Sequence, residues 1–288
     1  MLNEILEELN EIDLVELKDF SKRLANGISE KGKVIIVYDC ENEVPASSMY
    51  WACNMILSDI NVQLTSYLDY LYYIAPYLEE ANVIAFIDNE RILNRLRETS
   101  NLLGHRLTVI TSVKKREESA EFDSLHISYG TIFKNTFSRS VLSIMSIIYK
   151  ASAKTKFKGR VERLGNEVEG IYEVVEDMLR YYRDDLYSIV STPPDIVLTS
   201  TILKPHVKYA YSIDTPIVVF SEVRELPVNS HIHVFKTSLE DREYGELVKI
   251  SMVRACKLYP IDLRTDPITA QLYALIILEA FKRIIELL

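Results

Sequence analysis

Lys33-Val34-Ile35-Ile36-Val37-Tyr38 is a short apolar run rich in β-branched residues and flanked by charge. Alternation of apolar and polar residues would mark a half-buried strand, whereas a continuous run marks one covered on both faces, as in a parallel sheet. What surrounds it repeats the pattern. Ahead of it, Leu2 to Leu24 carries apolar positions at helical spacing, with Asn26-Gly27 as a stop. Behind it, Pro45–Leu57 reads as a helix with proline in its first turn. Strand Val62–Ser66, helix Tyr70–Leu78, strand Asn82–Ile87, helix Arg91–Leu103, strand Leu107–Ile110 and helix Arg139–Tyr149 follow. Strands alternating with helices at this spacing predict a parallel, doubly wound sheet.

The stretch Ala151-Ser-Ala-Lys-Thr-Lys-Phe-Lys158 is polar, basic and weakly periodic, as at a domain boundary. A long helix is expected over about Val161–Tyr187, stopped by Thr192-Pro-Pro194. The alternation then resumes with strand Ile196–Thr199, helix Pro205–Tyr211, strands Ile217–Phe220 and Ile232–Phe235, helix Arg242–Cys256, strand Tyr259–Leu263 and helix Pro267–Leu287. The expected division is an N-terminal lobe over 1–155, a bridging helix over 156–190 and a C-terminal lobe over 191–288. The fold class is α/β: two flavodoxin-like lobes, each a parallel doubly wound sheet with helices on both faces.

With 48% hydrophobic and 26% charged residues, the 288-residue chain has the composition of a folded globular protein. A net charge of −9 gives no electrostatic basis for holding nucleic acid or an anionic membrane. Any anionic substrate must be held by local geometry. No apolar stretch reaches transmembrane length, and the acidic N-terminus is unlike a signal peptide. Cys40, Cys53 and Cys256 have no metal-ligand spacing and read as reduced thiols, so a cytoplasmic protein is expected. Glutamine occurs only at 63 and 271, a bias that suits a thermophile.

Three segments carry a resemblance. Leu203-Lys-Pro-His-Val-Lys-Tyr-Ala-Tyr211 and Glu225-Leu-Pro-Val-Asn-Ser-His231 are joined by the C-terminal Tyr259-Pro-Ile-Asp-Leu-Arg-Thr-Asp266. Together with the two α/β halves they resemble the sugar isomerase (SIS) domains of phosphosugar enzymes. Within that group they are most similar to the archaeal-type bifunctional phosphoglucose/phosphomannose isomerases. The resemblance implies aldose–ketose isomerisation of glucose 6-phosphate or mannose 6-phosphate and fructose 6-phosphate. It also implies a homodimer, a small-molecule sugar phosphate as the partner, and no cofactor. In that family a Glu-Leu-Pro-Glu-x-Asn-His-like stretch holds the histidine linked to ring opening, which makes His231 the candidate here. Arg139, following Asn135-Thr-Phe-Ser138, matches an arginine next to the family's active site.

Isomerisation of this kind needs a phosphate cradle, a ring-opening acid/base, a carboxylate to carry the proton between carbons and a cation for the enediolate. Thr215 stands where the family has its glutamate, and adjacent Asp214 is the nearest carboxylate. Asp214 is also a natural turn residue before Pro216. Lys282 and Arg283 lie inside the final helix and read as solvated charges. The first loop, Tyr38-Asp-Cys-Glu-Asn-Glu-Val-Pro-Ala-Ser-Ser48, has no glycine and several carboxylates where the family is glycine-rich, and Ile87-Asp-Asn-Glu90 replaces a Ser-Gly-Asn-Thr type. Two unit charges about 4 Å apart at an effective dielectric near 20 repel by ~4 kcal/mol, more than a helix dipole returns. Asp39, Glu41, Glu43, Asp88 and Glu90 therefore oppose a phosphate, while Ser47, Ser48, Asn89 and Thr111-Ser112 offer hydrogen bonds. Lys114, Lys115 and Arg116 are read as a solvated loop. The expected outcome is an isomerase-like protein with activity weakened or lost, or a non-catalytic sensor of a sugar phosphate or other carbohydrate derivative.

A third reading takes Asp39, Glu41 and Asp88 as Mg²⁺ ligands at the switch point of the sheet. Against it, Asp88 and Asn89 ahead of Arg91 suit a helix N-cap, and no metal is expected. Cys40, surrounded by acids, reads as structural. Tyr67, Tyr70, Tyr72 and Tyr73 suit either sugar stacking or packing.

Overall fold

The computed structural model describes residues 14–28, 33–57, 59–111, 125–128, 135–152, 158–223 and 225–287. These fall into two compact units, 14–169 and 170–287.

In the first unit α1 (Leu14–Gly27) precedes β1 (Lys33–Tyr38), followed by α2 (Glu43–Ile56), β2 (Asn61–Ser66) and β3 (Ala81–Phe86). Then come α3 (Glu90–Leu103), β4 (Arg106–Thr111), β5 (Leu125–Ser128), α4 (Thr136–Ser152) and α5 (Lys158–Glu169). The five strands form one sheet, β2-β1-β3-β4-β5, with every neighbouring pair parallel. Val34, Ile35, Ile36 and Val37 are all fully buried. The continuous apolar run thus reflects helices on both faces. On one face Ile35, Val37, Val83, Ala85 and Val109 pack with Tyr70, Leu93 and Leu96. The other is covered by α2, which packs in turn on α4. Serines keep α4 slim where it is buried. Ser140, Ser143 and Ser146 donate to the carbonyls of Thr136, Arg139 and Leu142, four residues back, so no hydroxyl among them is left unpaired.

Two local expectations change here. In place of a regular helix over Tyr70–Leu78, an α turn at Tyr67–Asp69 runs into a π turn at Tyr70–Ile74 and a 3-10 turn at Ala75–Tyr77. Pro76 has no N–H with which to continue an α ladder. Buried Tyr70 reaches inward to His105, its hydroxyl 2.7 Å from Nδ1, while Nε2 lies 3.1 Å from the Leu78 carbonyl. β5 has no counterpart among the expectations. Leu125-His-Ile-Ser128 supplies only two apolar residues in four, a signal too short for periodicity to catch. Residues 2–13 of the first expected helix lie outside the described residues.

The second unit contains α6 (Val175–Tyr181), α7 (Arg183–Ser191), β6 (Ile196–Thr199), α8 (Lys204–Ala210) and β7 (Ile217–Val219). After them come β8 (His231–Thr237), α9 (Asp241–Arg254), β9 (Lys257–Leu263) and α10 (Pro267–Glu286). Its sheet, β7-β6-β8-β9, is again wholly parallel. Leu198, Ile232 and Val234 pack toward Leu247 of α9 on one face. On the other, Phe235 and His233 meet the Tyr211 ring, which lies 4.9 Å from that of Phe281 on α10.

The long helix expected over Val161–Tyr187, and with it a single bridging helix over 156–190, is replaced by three helices. α5 belongs to the first unit, and α6 and α7 to the second. Gly170 opens the intervening turn, Glu173 N–H donating to its carbonyl at 3.0 Å, where glycine's poor helix propensity makes a break cheap. The second break falls at Tyr182, whose hydroxyl donates to the Asp262 carbonyl at 2.8 Å. Tertiary bonding outweighs local periodicity there.

Candidate functional site

β1 and β3 are adjacent in the sheet, yet the chain leaves them in opposite directions. Their carboxyl ends therefore make the switch point at which open α/β sheets bind ligands. A cleft of about 290 Å³ opens there, lined by Asp39, Cys40, Glu41, Tyr67, Asp88, Asn89 and Ile92. Asp39–Glu41 follow β1, Tyr67 follows β2, and Asp88 and Asn89 follow β3. Asn89 is the N-cap of α3, its side-chain oxygen accepting from the N–H groups of Arg91 and Ile92 at 3.0 and 3.3 Å.

Beneath the lining lies a bonded set. Buried Asn42 donates from Nδ2 to Asp39 Oδ1 at 2.8 Å and to Asp88 Oδ2 at 3.1 Å. Arg139 donates from one terminal nitrogen to Asn42 Oδ1 at 2.7 Å and to Asp88 Oδ2 at 2.6 Å. Asp39 Oδ2 accepts from the Asp88 backbone N–H at 2.9 Å. The loop is tied off as well, since Asn42 N–H donates to the Asp39 carbonyl at 3.0 Å. An N–H cradle for an anion needs such donors pointing outward. Here the donors for which this loop has partners point inward.

The candidate residues separate accordingly. Arg139 is 9% exposed and is Asp88's counter-ion. Asp88, expected as a cap or a metal ligand, is an ion-pair partner, and a guanidinium at 2.6 Å opposes a dication at the same oxygen. Among the described residues no group of three or more His, Cys, Asp or Glu is arranged to hold a metal. Ser47 and Ser48, expected to bind substrate, are buried within α2 and are not part of the cleft lining. Cys40, expected to be structural, is exposed on the rim. Tyr67 borders the cleft, Tyr70 is core, and Tyr72 and Tyr73 are exposed. Thr111 is buried, and Ser112 and Lys114–Arg116 lie outside the described residues. Asn42 and Ile92 carried no sequence signal beyond their place just after the β1 and β3 ends.

His231 and Asp214 are both in the second unit, at the amino-terminal side of its sheet. His231 is the first residue of β8. Its Nδ1 lies 2.9 Å from the Tyr259 hydroxyl, the rings are stacked, and its N–H donates to Asp195 Oδ2 at 2.8 Å. Asp214 sits exposed in the turn before β7, closed by Thr215 N–H donating to the Ser212 carbonyl at 3.1 Å. Ligands in such sheets bind beyond the carboxyl ends, the opposite edge. His233 is wholly buried between the Tyr211 hydroxyl, 2.8 Å from Nδ1, and the Thr192 carbonyl, 2.8 Å from Nε2. Burial drives its pKa down to about 4 against a smaller upward pull from that carbonyl. Lys282 is not a freely solvated charge: its ammonium lies 3.9 Å from the Tyr209 ring centroid.

No family model matches the sequence. No curated protein matches it either. Solved structures do. The C-terminal domain of glucosamine-fructose-6-phosphate aminotransferase from Francisella tularensis superposes with a TM-score of 0.71 at 13% identity, covering 98% of this chain and 96% of that one. A proposed phosphosugar isomerase from Salmonella typhimurium gives 0.71 at 11% identity, with 94% and 92% covered. Glucosamine-6-phosphate deaminase from Thermotoga maritima gives 0.62 at 13% identity, with 98% and 94% covered. The class defined is therefore the two-lobed α/β fold of these phosphosugar proteins. These likenesses lend no support to the narrower resemblance, to bifunctional phosphoglucose/phosphomannose isomerases.

Proposed function

We propose that the chain is a carbohydrate-derivative-binding protein on the phosphosugar isomerase scaffold, with isomerase activity weakened or lost, and that its ligand enters the first-unit cleft. The observation that carries this reading is the Asp88–Arg139 pair, tied through Asn42 to Asp39. The nearest guanidinium is already committed, and Asp39, Glu41 and Asp88 line the space a phosphate would enter. Like charge at such distances outweighs the attraction of one helix end. Tyr67 and Ile92 offer an apolar wall for a sugar ring, and the carboxylates are ready acceptors for its hydroxyls. The working form in this reading is a cytoplasmic homodimer.

The second reading is a working isomerase in which His231 opens the ring and Asp214 moves the proton, with Arg139 the arginine that the resemblance places next to the active site. It is favoured by the superposition on a glucosamine-fructose-6-phosphate aminotransferase domain and on a glucosamine-6-phosphate deaminase. A coupled assay from fructose 6-phosphate to glucose 6-phosphate or mannose 6-phosphate, with a His231→Ala control, separates the two. The expected result is no turnover above the control. Turnover abolished by His231→Ala establishes the isomerase instead.

A further inference from the structure

α9 buries one face and leaves the other bare. Leu247 and Ser251 are buried, whereas Gly245, Glu246, Lys249, Met252 and Val253 are exposed, three and four residues apart along one stripe. Val253 is 85% and Met252 76% exposed, and Leu239, in the 3-10 turn that leads into the helix, is 64% exposed. The stripe is thus apolar at both ends. Gly245 stands in mid-helix, where glycine weakens a helix relative to alanine. A Cβ there would meet nothing within 4 Å, so no neighbour within the chain requires glycine. A second backbone crossing the helix would require it. Charge is sorted along the helix as well, with Asp241, Glu243 and Glu246 in its first half and Lys249 and Arg254 in its second. Among the described residues Glu246 and Lys249 have no ion-pair partner.

We propose that this stripe is the contact face of a homodimer, α9 crossing antiparallel over α9 of a second copy. A twofold axis level with Leu247 and Val248 sets Glu246 of each copy opposite Lys249 of the other, so the complementary pair forms twice. It also brings each Leu239 within a turn of the other copy's Met252 and Val253, and puts Gly245 beside the crossing. Arg242, the one basic residue in the first half, falls beside Val253, along which its stem can lie. A parallel pair would set Glu246 against Glu246. The proposal rests on the homodimer of the function proposed above and gives it a face. A single helix pair is a small interface, so the dimer is weak, dissociating in the micromolar range.

The test is sedimentation equilibrium of the full chain from low to high micromolar concentration. It is run on the parent, on Glu246→Lys, Lys249→Glu and both together, and on Gly245→Gln. All three positions are exposed, so none of the substitutions disturbs the core. Each single charge reversal sets like against like and is expected to weaken the dimer at least tenfold. The double variant restores opposite pairs and is expected to return the affinity to near the parent value. Gly245→Gln is expected to raise the urea midpoint of the monomer, since glutamine is the better helix former, and yet to weaken the dimer at least tenfold. A glycine with no part in contact would show the first effect alone. A dimer indifferent to these substitutions, or one not recovered by the double reversal, overturns this face and leaves the homodimer standing. A monomer at every concentration overturns both.

Discussion

Removing the Arg139 guanidinium would leave the Asp88 carboxylate charged and mostly buried with its counter-ion gone. The two side chains are 11% and 13% exposed. Breaking a pair of this kind from one side costs about 3–5 kcal/mol, while neutralising both partners costs far less. Arg139→Met is therefore expected to lower unfolding stability by about 3 kcal/mol, and adding Asp88→Asn to recover most of it, as read by urea titration. A single variant as stable as the parent would show that the pair holds nothing together. The sequence marked Arg139 as a site residue and marked the acidic loops, but it could not join them. Arg139 is 51 residues from Asp88 and 97 from Asn42, and such partnerships exist only once the sheet brings the strand ends together.

Among the elements, α10 carries a residue that its surroundings do not satisfy. Gln271 is fully buried, and among the described residues neither its amide nitrogen nor its oxygen has a hydrogen-bond partner. A buried polar group left unpaired costs about 1–3 kcal/mol. Gln271→Leu is expected to raise stability by roughly that amount, measured by chemical denaturation; a loss would show that the amide is bonded in solution. The same scale shows what periodicity reveals. A strand buried on both faces, such as β1, announces itself by continuous apolar residues, and α3 by its Asn89 cap. Elements shaped by tertiary bonds do not. The mixed-pitch segment around Tyr70 depends on His105, the break at Tyr182 on Asp262, and β5 on pairing with β4.

For the molecule as a whole, pH acts through histidines held neutral. Burial depresses His233 to about 4 and His206 to about 3. Unfolded histidines titrate near 6.5. Between those values the unfolded chain binds more protons, so stability is complete above about pH 6.5 and falls as pH drops toward 4. The contribution of His233 alone is on the order of 3 kcal/mol by its folded pKa. Urea titrations from pH 7.5 to 4.5 are expected to show this decline, with a shallower slope in His233→Phe; an unchanged slope would place the acid sensitivity elsewhere. The proposed reading makes the first-unit cleft a place that excludes the phosphate of a sugar phosphate. A crystal of the full chain soaked in fructose 6-phosphate tests that most directly. Density with no phosphate within hydrogen-bonding distance of residues 39–42 or 88–90 is the expected result. An ester phosphate seated on those backbone N–H groups, with Arg139 turned away from Asp88 toward it, would contradict the proposal that the cleft excludes anions.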